Sequence, residues 1–357
     1  PGSSALSQAL RRVGVAPLRE LFTLVRGPAT GAARWRGLLV CAIDGTSMFV
    51  PNSAANAAAF GRQTGRPDAE SGYPMLRLLT VVACGTRTVI DAVFGSYGVG
   101  ETTYAPNLLG CLKNDMLLLA DRNFAVTALI EQVAAADAQV LIRCKDGRVL
   151  PPIRRLGDHS WLARMGSVTV RVIDATIAVR LGTGTIRRGH YRLVTTLTDE
   201  KRYPADELVE LYHQRWEIET SYLELKSTLG GGRVLRAATP AGIAQEVYAL
   251  LVTYQALRTA IADTALAHPG TSPDRLSFTV ALQAARDQVI HAAAAITDTT
   301  VDLVGRIGAA ILGHLLPARR SRSSPRVVKR AISKHRAKGD IDRTNHTTTI
   351  TIEIVNG

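Results

Sequence analysis

Leu38-Leu39-Val40-Cys41-Ala42-Ile43 is apolar at six consecutive positions and stops at Asp44-Gly45-Thr46. A run that is apolar throughout, rather than at alternate positions, and that ends on turn residues reads as a strand buried on both faces. The pattern returns at Met116-Leu117-Leu118-Leu119-Ala120, which stops at Asp121. Between the two lie strand-like runs at 76–84 and 88–94, joined at Gly85-Thr86 as a hairpin, and a helical stretch at 101–112. A helix at 125–135 and a strand at 140–144 follow. The order strand, hairpin, helix, strand, helix, strand describes a mixed α/β sheet. Taken singly, an Asp after a strand is an ordinary turn residue. If the two apolar strands are neighbours, however, their carboxylates meet in the crevice outside the strand ends, where open α/β sheets bind ligands. Two like charges that close raise each other's pKa unless a cation sits between them, and a donor set made of oxygens suits Mg²⁺.

Residues 146–200 change character. They are rich in β-formers and basic residues, as in Val168-Thr169-Val170-Arg171-Val172-Ile173, and read as a β-rich insertion. A long helix is expected over 205–229 and a largely helical region over 240–315. The front, 5–33, reads as helix interrupted by Gly27-Pro28.

The chain has 357 residues, 46% of them hydrophobic, with mean hydropathy +0.08, which supplies a real core and excludes wholesale disorder. Its net charge of +13 and pI near 10.0 point to a polyanionic partner. Nine Lys/Arg and no acid fall between Pro317 and Lys338, leaving 34 basic against 30 acidic residues elsewhere, so most of the surplus is one C-terminal segment. No apolar run reaches the roughly 18 residues a membrane span needs. Cys41, Cys84, Cys111 and Cys144 form no C-x-x-C pair and read as buried thiols in a reducing cytoplasm, which argues against a zinc or disulfide framework. No G-x-G-x-x-G follows the first strand, so a dinucleotide-dependent dehydrogenase is not supported.

The 205–229 helix carries the chemistry. Pro204 sits at a favoured helix start, Asp206 and Glu207 fall in the first turn, and Gly230-Gly231-Gly232 stops it. Tyr212, Arg215, Glu219 and Lys226 share an arc of roughly 60° at about 100° per residue. Glu217 and Glu224 point to nearly the opposite side. Such a face can be a plain ladder of i,i+4 pairs. It can equally supply a third carboxylate, Glu219, with Arg215 and Lys226 holding phosphates on either side, Arg bidentately and Lys as a point charge.

The spacing Tyr212-x₂-Arg215-x₃-Glu219-x₆-Lys226 resembles the Y-(2)-R-(3)-E-(6)-K signature of DDE transposases of the insertion-sequence-four group. Asp44-Gly45-Thr46, Leu119-Ala120-Asp121-Arg122, the stretch Tyr212 to Glu219 and Ser324-Pro325-Arg326-Val327-Val328-Lys329-Arg330 also resemble family segments. The resemblance covers about 37–340. It implies an RNase H-like mixed sheet core, with the β-rich insertion before the last catalytic helix and a helical C-terminal region. The organisation expected is 1–36 as the remnant of a helical N-terminal accessory region, 37–145 as the first part of the core, 146–200 as the insertion, 201–316 as the second part of the core with the helical region, and 317–357 as a basic tail.

By the same resemblance, Asp44, Asp121 and Glu219 are the catalytic carboxylates and hold two Mg²⁺, for which Mn²⁺ substitutes. Tyr212, Arg215 and Lys226 contact phosphates near the cleaved end, and Arg122 is a weaker candidate for that task. Trp161, in the insertion, is either a packing residue or a platform for a displaced base. Arg326, Lys329 and Arg330 in the tail bind DNA phosphates without regard to sequence. Glu101, in Gly98-Val99-Gly100-Glu101, reads as a charge at a helix N-terminus rather than a metal ligand. The expected partners are transposon ends and target DNA, with a homodimer in the DNA complex, no membrane, and a bacterial, cytoplasmic, nucleoid-associated location.

The expected reaction is metal-dependent strand cleavage and strand transfer, the cut-and-paste movement of an insertion sequence. Two alternatives stay open at this level. One is a catalytically inactive or domesticated DNA-binding derivative. The other is a tyrosine recombinase acting covalently through Tyr212, although none of the eight His begins a His-x-x-Arg spacing.

Overall fold

A computed structural model describes residues 3–62, 72–145, 147–180, 186–294, 303–317 and 349–355. The chain starts with helices α1 (Ser3–Val13) and α2 (Ala16–Val25), then β1 (Arg34–Trp35), β2 (Leu38–Phe49), α3 (Ala54–Phe60) and the antiparallel pair β3 (Met75–Ala83) and β4 (Val89–Ser96). α4 (Glu101–Tyr104) runs into a 3₁₀ segment, Ala105–Cys111, so the helix expected at 101–112 is tightened where Pro106 withholds an N–H. β5 (Met116–Ala120), α5 (Thr127–Ala135) and β6 (Gln139–Cys144) complete the first part. The strands β7 (Arg154–Arg155), β8 (Trp161–Met165), β9 (Val168–Arg180) and β10 (Ile186–Thr195) follow.

Among the described residues, the strands form one sheet in the order β4-β3-β2-β5-β6-β10-β9-β8-β7, with β1 paired to β2 and β11 (Thr349–Ile354) to β9. β2 pairs antiparallel with β3 and parallel with β5, and β5 pairs parallel with β6. The β-rich stretch therefore extends the core sheet, through the antiparallel β6–β10 pair, instead of forming a sheet of its own. This pairing joins residues some fifty positions apart, and no local pattern announces it.

The second part opens with α6 (Ala205–Tyr212), a 3₁₀ turn at His213–Arg215, α7 (Trp216–Leu223) and a π-helical stretch at Glu224–Leu229. α8 (Pro240–Ala267), α9 (Phe278–Ala294) and α10 (Leu303–Leu312) follow. The expected 205–229 helix thus has the right limits but not regular α geometry. The overwound 3₁₀ turn and the underwound π turn shift its face in opposite senses, and π turns cluster at functional sites.

The strands alternate, and the alternation divides the core. Val40, Ala42, Leu117 and Leu119 join α6, α7 and α8 in one apolar cluster. Leu39, Cys41, Ile43, Leu118 and Ala120 join the 3₁₀ segment and α5 in the other. By parity, Asp44 and Asp121 are the next residues on the face covered by α6 and α7.

Candidate active site

β2 and β5 run in register up to Ile43 opposite Ala120, so Asp44 and Asp121 follow as neighbours on adjacent strands. β5 stops there. β2 does not: it continues to Phe49 against β3, with Asp44 opposite Thr80. The expected turn at Asp44-Gly45 is therefore a strand interior, held by an antiparallel partner that outlasts the parallel one. Asp121 does act as a turn residue. Its Oδ1 accepts from the Asn123 N–H at 2.8 Å and caps the 3₁₀ turn Arg122–Phe124.

The helix brings the rest. The Arg215 guanidinium donates to Glu219 Oε1 at 3.1 Å and lies 3.8 Å from Asp44 Oδ2, so one cation serves two carboxylates from different elements. Lys226 Nζ, within the π turn, donates to Thr46 Oγ1 at 2.9 Å, and burial pulls its pKa down. Arg122 stands exposed beside Asp121. Asp44 is pushed up to about 7, chiefly by burial. The Gly45 N–H and Arg215 work against that push, while Asp121 and Glu101 add to it.

Two residues considered for DNA contact, Tyr212 and Trp161, are buried. Tyr212 is buried, and its hydroxyl donates to the Ala120 carbonyl at 3.1 Å, tying α6 to the end of β5 just before Asp121. Burial pushes that phenol up to about 12. Trp161 is 5% exposed, its indole N–H donates to Leu150 O at 2.9 Å and Arg192 lies 5.7 Å from its ring, an arrangement in keeping with the packing role, one of the two readings open to it. Arg326, Lys329 and Arg330 lie outside the described residues.

Tyr222 and Glu101 belong to the site and were not singled out for it by the sequence. The Tyr222 hydroxyl donates to the Asp44 carbonyl and accepts from Thr80 N at 3.2 Å. Its position seven residues after Arg215 puts it on the same helix face, and that spacing was the available signal. Glu101 pairs with Arg77 at 3.1 Å and accepts from Asn123 Nδ2 at 3.2 Å. Glu217 and Glu224 do turn away, as expected, toward Gly85 and Arg87 of the β3–β4 hairpin.

The donor chemistry suits a hard divalent ion: carboxylates from Asp44, Asp121 and Glu219, with Asp44 under a like-charge penalty that a cation would relieve. Among the described residues, however, no three acidic, imidazole or thiol side chains are gathered into a metal-holding group, and Arg215 stands between Asp44 and Glu219. No helix among the described residues is long and apolar enough to cross a membrane.

Comparison with known proteins shows the family. Residues 35–255, more than half of the chain, match the family described as Transposase DDE domain. The transposase InsG of insertion sequence element IS4 from Escherichia coli is 30% identical over 351 residues, covering 91% of this chain and 76% of InsG. A putative transposase from the same organism, InsZ, is 30% identical over 126 residues, covering 34% of this chain and 42% of its own length. A cryo-EM structure of a piggyBac transposase synaptic complex with hairpin DNA overlays with a TM-score of 0.41 at 12% identity, covering 80% of this chain and 59% of that one. The mixed sheet with its added strands, followed by a helical C-terminal region, is the α/β organisation expected from the sequence. The protein that turns Tyr212, Arg215, Glu219 and Lys226 toward β2 and β5 belongs to the DDE transposase family, in the insertion-sequence-four group.

Proposed function

We propose that this transposase cleaves and joins DNA strands by metal-dependent phosphoryl transfer at Asp44, Asp121 and Glu219. The observation that carries this is the shared guanidinium: Arg215 links Asp44 on the sheet to Glu219 on the helix, one strand away from Asp121. In the first reaction, a water oxygen bonds to phosphorus as the bond to the 3′ oxygen breaks, leaving a 3′-OH and a 5′-phosphate. In the second, that 3′-OH bonds to phosphorus in target DNA and displaces another 3′ oxygen. No protein nucleophile is consumed.

Mg²⁺, or Mn²⁺ in its place, would be held by Asp44, Asp121 and Glu219 and would supply a more acidic water and charge neutralisation at the phosphate. The remaining side chains orient. Arg215, once released by the carboxylates it now bridges, is placed to grip a phosphate bidentately, and Lys226 places a point charge about three turns further on. Arg122 adds a charge at the rim beside Asp121. Tyr212 ties the helix to the end of β5 before Asp121, and Tyr222 ties it to β2 at Asp44. The partners are transposon ends and target DNA, with the chain acting as a homodimer on paired ends and residing with the bacterial chromosome.

Cleavage of matched transposon ends in Mg²⁺ tests this reading. Glu219→Gln is expected to bind the ends as the parent does and to lose cleavage. Unchanged cleavage by that variant, or equal cleavage in EDTA, rejects it.

A further inference from the structure

Glu101 opens α4, a helix of four residues whose N-cap is glycine. A charge that served the helix end alone would face that end and solvent. Glu101 instead reaches across to the sheet. Its side chain is 17% exposed, Oε1 pairs with Arg77 of β3 at 3.1 Å, and Oε2 accepts from Asn123 at 3.2 Å. Arg77 is itself held, donating to the Tyr97 carbonyl at 3.0 Å and stacking over the Tyr97 ring at 4.8 Å. Asn123 is the residue whose backbone N–H is capped by Asp121.

Gly45 supplies the second, independent observation. It lies inside β2 with no left-handed φ, so its backbone conformation does not require glycine. A Cβ built there would overlap the Glu101 carboxylate. Glycine in a strand interior marks close approach of another group, and here the group is Glu101, packed against the residue after Asp44. A carboxylate held so near two others adds like-charge repulsion, which Arg77 offsets in part. Glu101 therefore touches both aspartate-bearing segments, Gly45 by packing and Asn123 by hydrogen bond.

We propose that Glu101 is a positioning residue that fastens the turn carrying Asp121 to the strand carrying Asp44, and that this spacing sets how tightly a divalent cation is held. The proposal rests on the metal-dependent reading of the site.

The test is a titration of the full chain with Mn²⁺ in the absence of DNA, with free Mn²⁺ read by electron paramagnetic resonance and folding checked by thermal melting. Glu101→Ala is expected to weaken Mn²⁺ binding about tenfold or more, the size typical of losing an outer partner of a metal ligand. Asn123→Ala, which cuts one of the links and leaves Glu101 in place, is expected to weaken it by less. Glu101→Gln keeps the shape and an acceptor for Arg77 and is expected to restore binding to within about threefold of the parent, below the outer-partner range. Parent-like binding by a folded Glu101→Ala chain overturns the proposal. So does a Glu101→Gln chain as weak as the alanine variant, since charge rather than position would then be what matters. If Glu101→Ala fails to fold, Asn123→Ala decides: weakened binding supports the link and parent-like binding overturns it. Asp44→Asn separates the underlying reading: if it still binds Mn²⁺ and cleaves DNA, the metal site itself is wrong; if it loses both while Glu101→Ala does not, the positioning role alone is wrong.

Discussion

The helix from 205 to 229 has two charged faces that treat their charges in opposite ways. Toward β2 and β5, Arg215 alone is shared by Asp44 and Glu219, with Asp121 and Glu101 close enough to raise Asp44 further. Away from the site, Glu224 is held by Arg258 Nε at 3.0 Å, Arg87 Nη1 at 3.3 Å and the Tyr254 hydroxyl at 3.3 Å. Arg87, with φ at 60°, also pairs with Asp274 and lies 3.6 Å from Glu217. On the far face Glu224 alone has two guanidiniums, Arg258 and Arg87. On the near face Asp44 and Glu219 share one. A buried pair that is fully satisfied orders a structure, whereas a carboxylate group short of countercharge is ready for a cation. The far face anchors the helix through the hairpin and α8; the near face is the one proposed for chemistry.

Swapping one acid on each face separates the two roles most sharply. Glu219→Gln is expected to reduce end cleavage by about 10²–10³-fold, the usual cost of removing transition-state charge stabilisation, with little change in stability. Glu224→Ala is expected to do the reverse. Breaking one partner of a buried pair costs about 3–5 kcal/mol, readable by denaturant unfolding, while the folded fraction keeps its cleavage rate. Were Glu224→Ala stable and inactive, the division between faces would fail.

The next effect concerns pH. Asp44 is raised from 3.8 to about 7, so the native state holds its proton more tightly than the unfolded chain does. Stability conferred at low pH is therefore lost as pH climbs from about 4 to about 7, and the full cost is present above that range. Asp44→Asn removes the cost. It is expected to raise the melting temperature above about pH 7, by on the order of a few kcal/mol of stability, and to leave it unchanged near pH 4. Added Mg²⁺ should raise the melting temperature of the parent at neutral pH and not that of the variant. The smallest effect expected is at Lys226: Lys226→Ala should reduce the salt dependence of DNA binding by about one unit of slope, across all sequences alike.

Much of this was legible in the residues because it depends on local pattern. Runs that are apolar at every position place β2 and β5, and the spacing of Tyr212, Arg215, Glu219 and Lys226 places one helix face. What escaped depends on partners distant in the chain. Asp44 lies inside a strand because β3 extends the pairing past it, and Gly45, which resembles a turn residue, is glycine to make room for Glu101. The helix departs from α geometry at both His213 and Glu224 with no proline or glycine to announce it.

Crystals of the full chain grown with Mn²⁺ and a cleaved transposon end, read by anomalous scattering, bear on the whole proposal at once. Manganese is expected against Asp44 and Asp121 with Glu219 reaching it, and Arg215 transferred from the carboxylates to a phosphate. Manganese bound elsewhere, with Arg215 still bridging Asp44 and Glu219 while the DNA is cut, would contradict it.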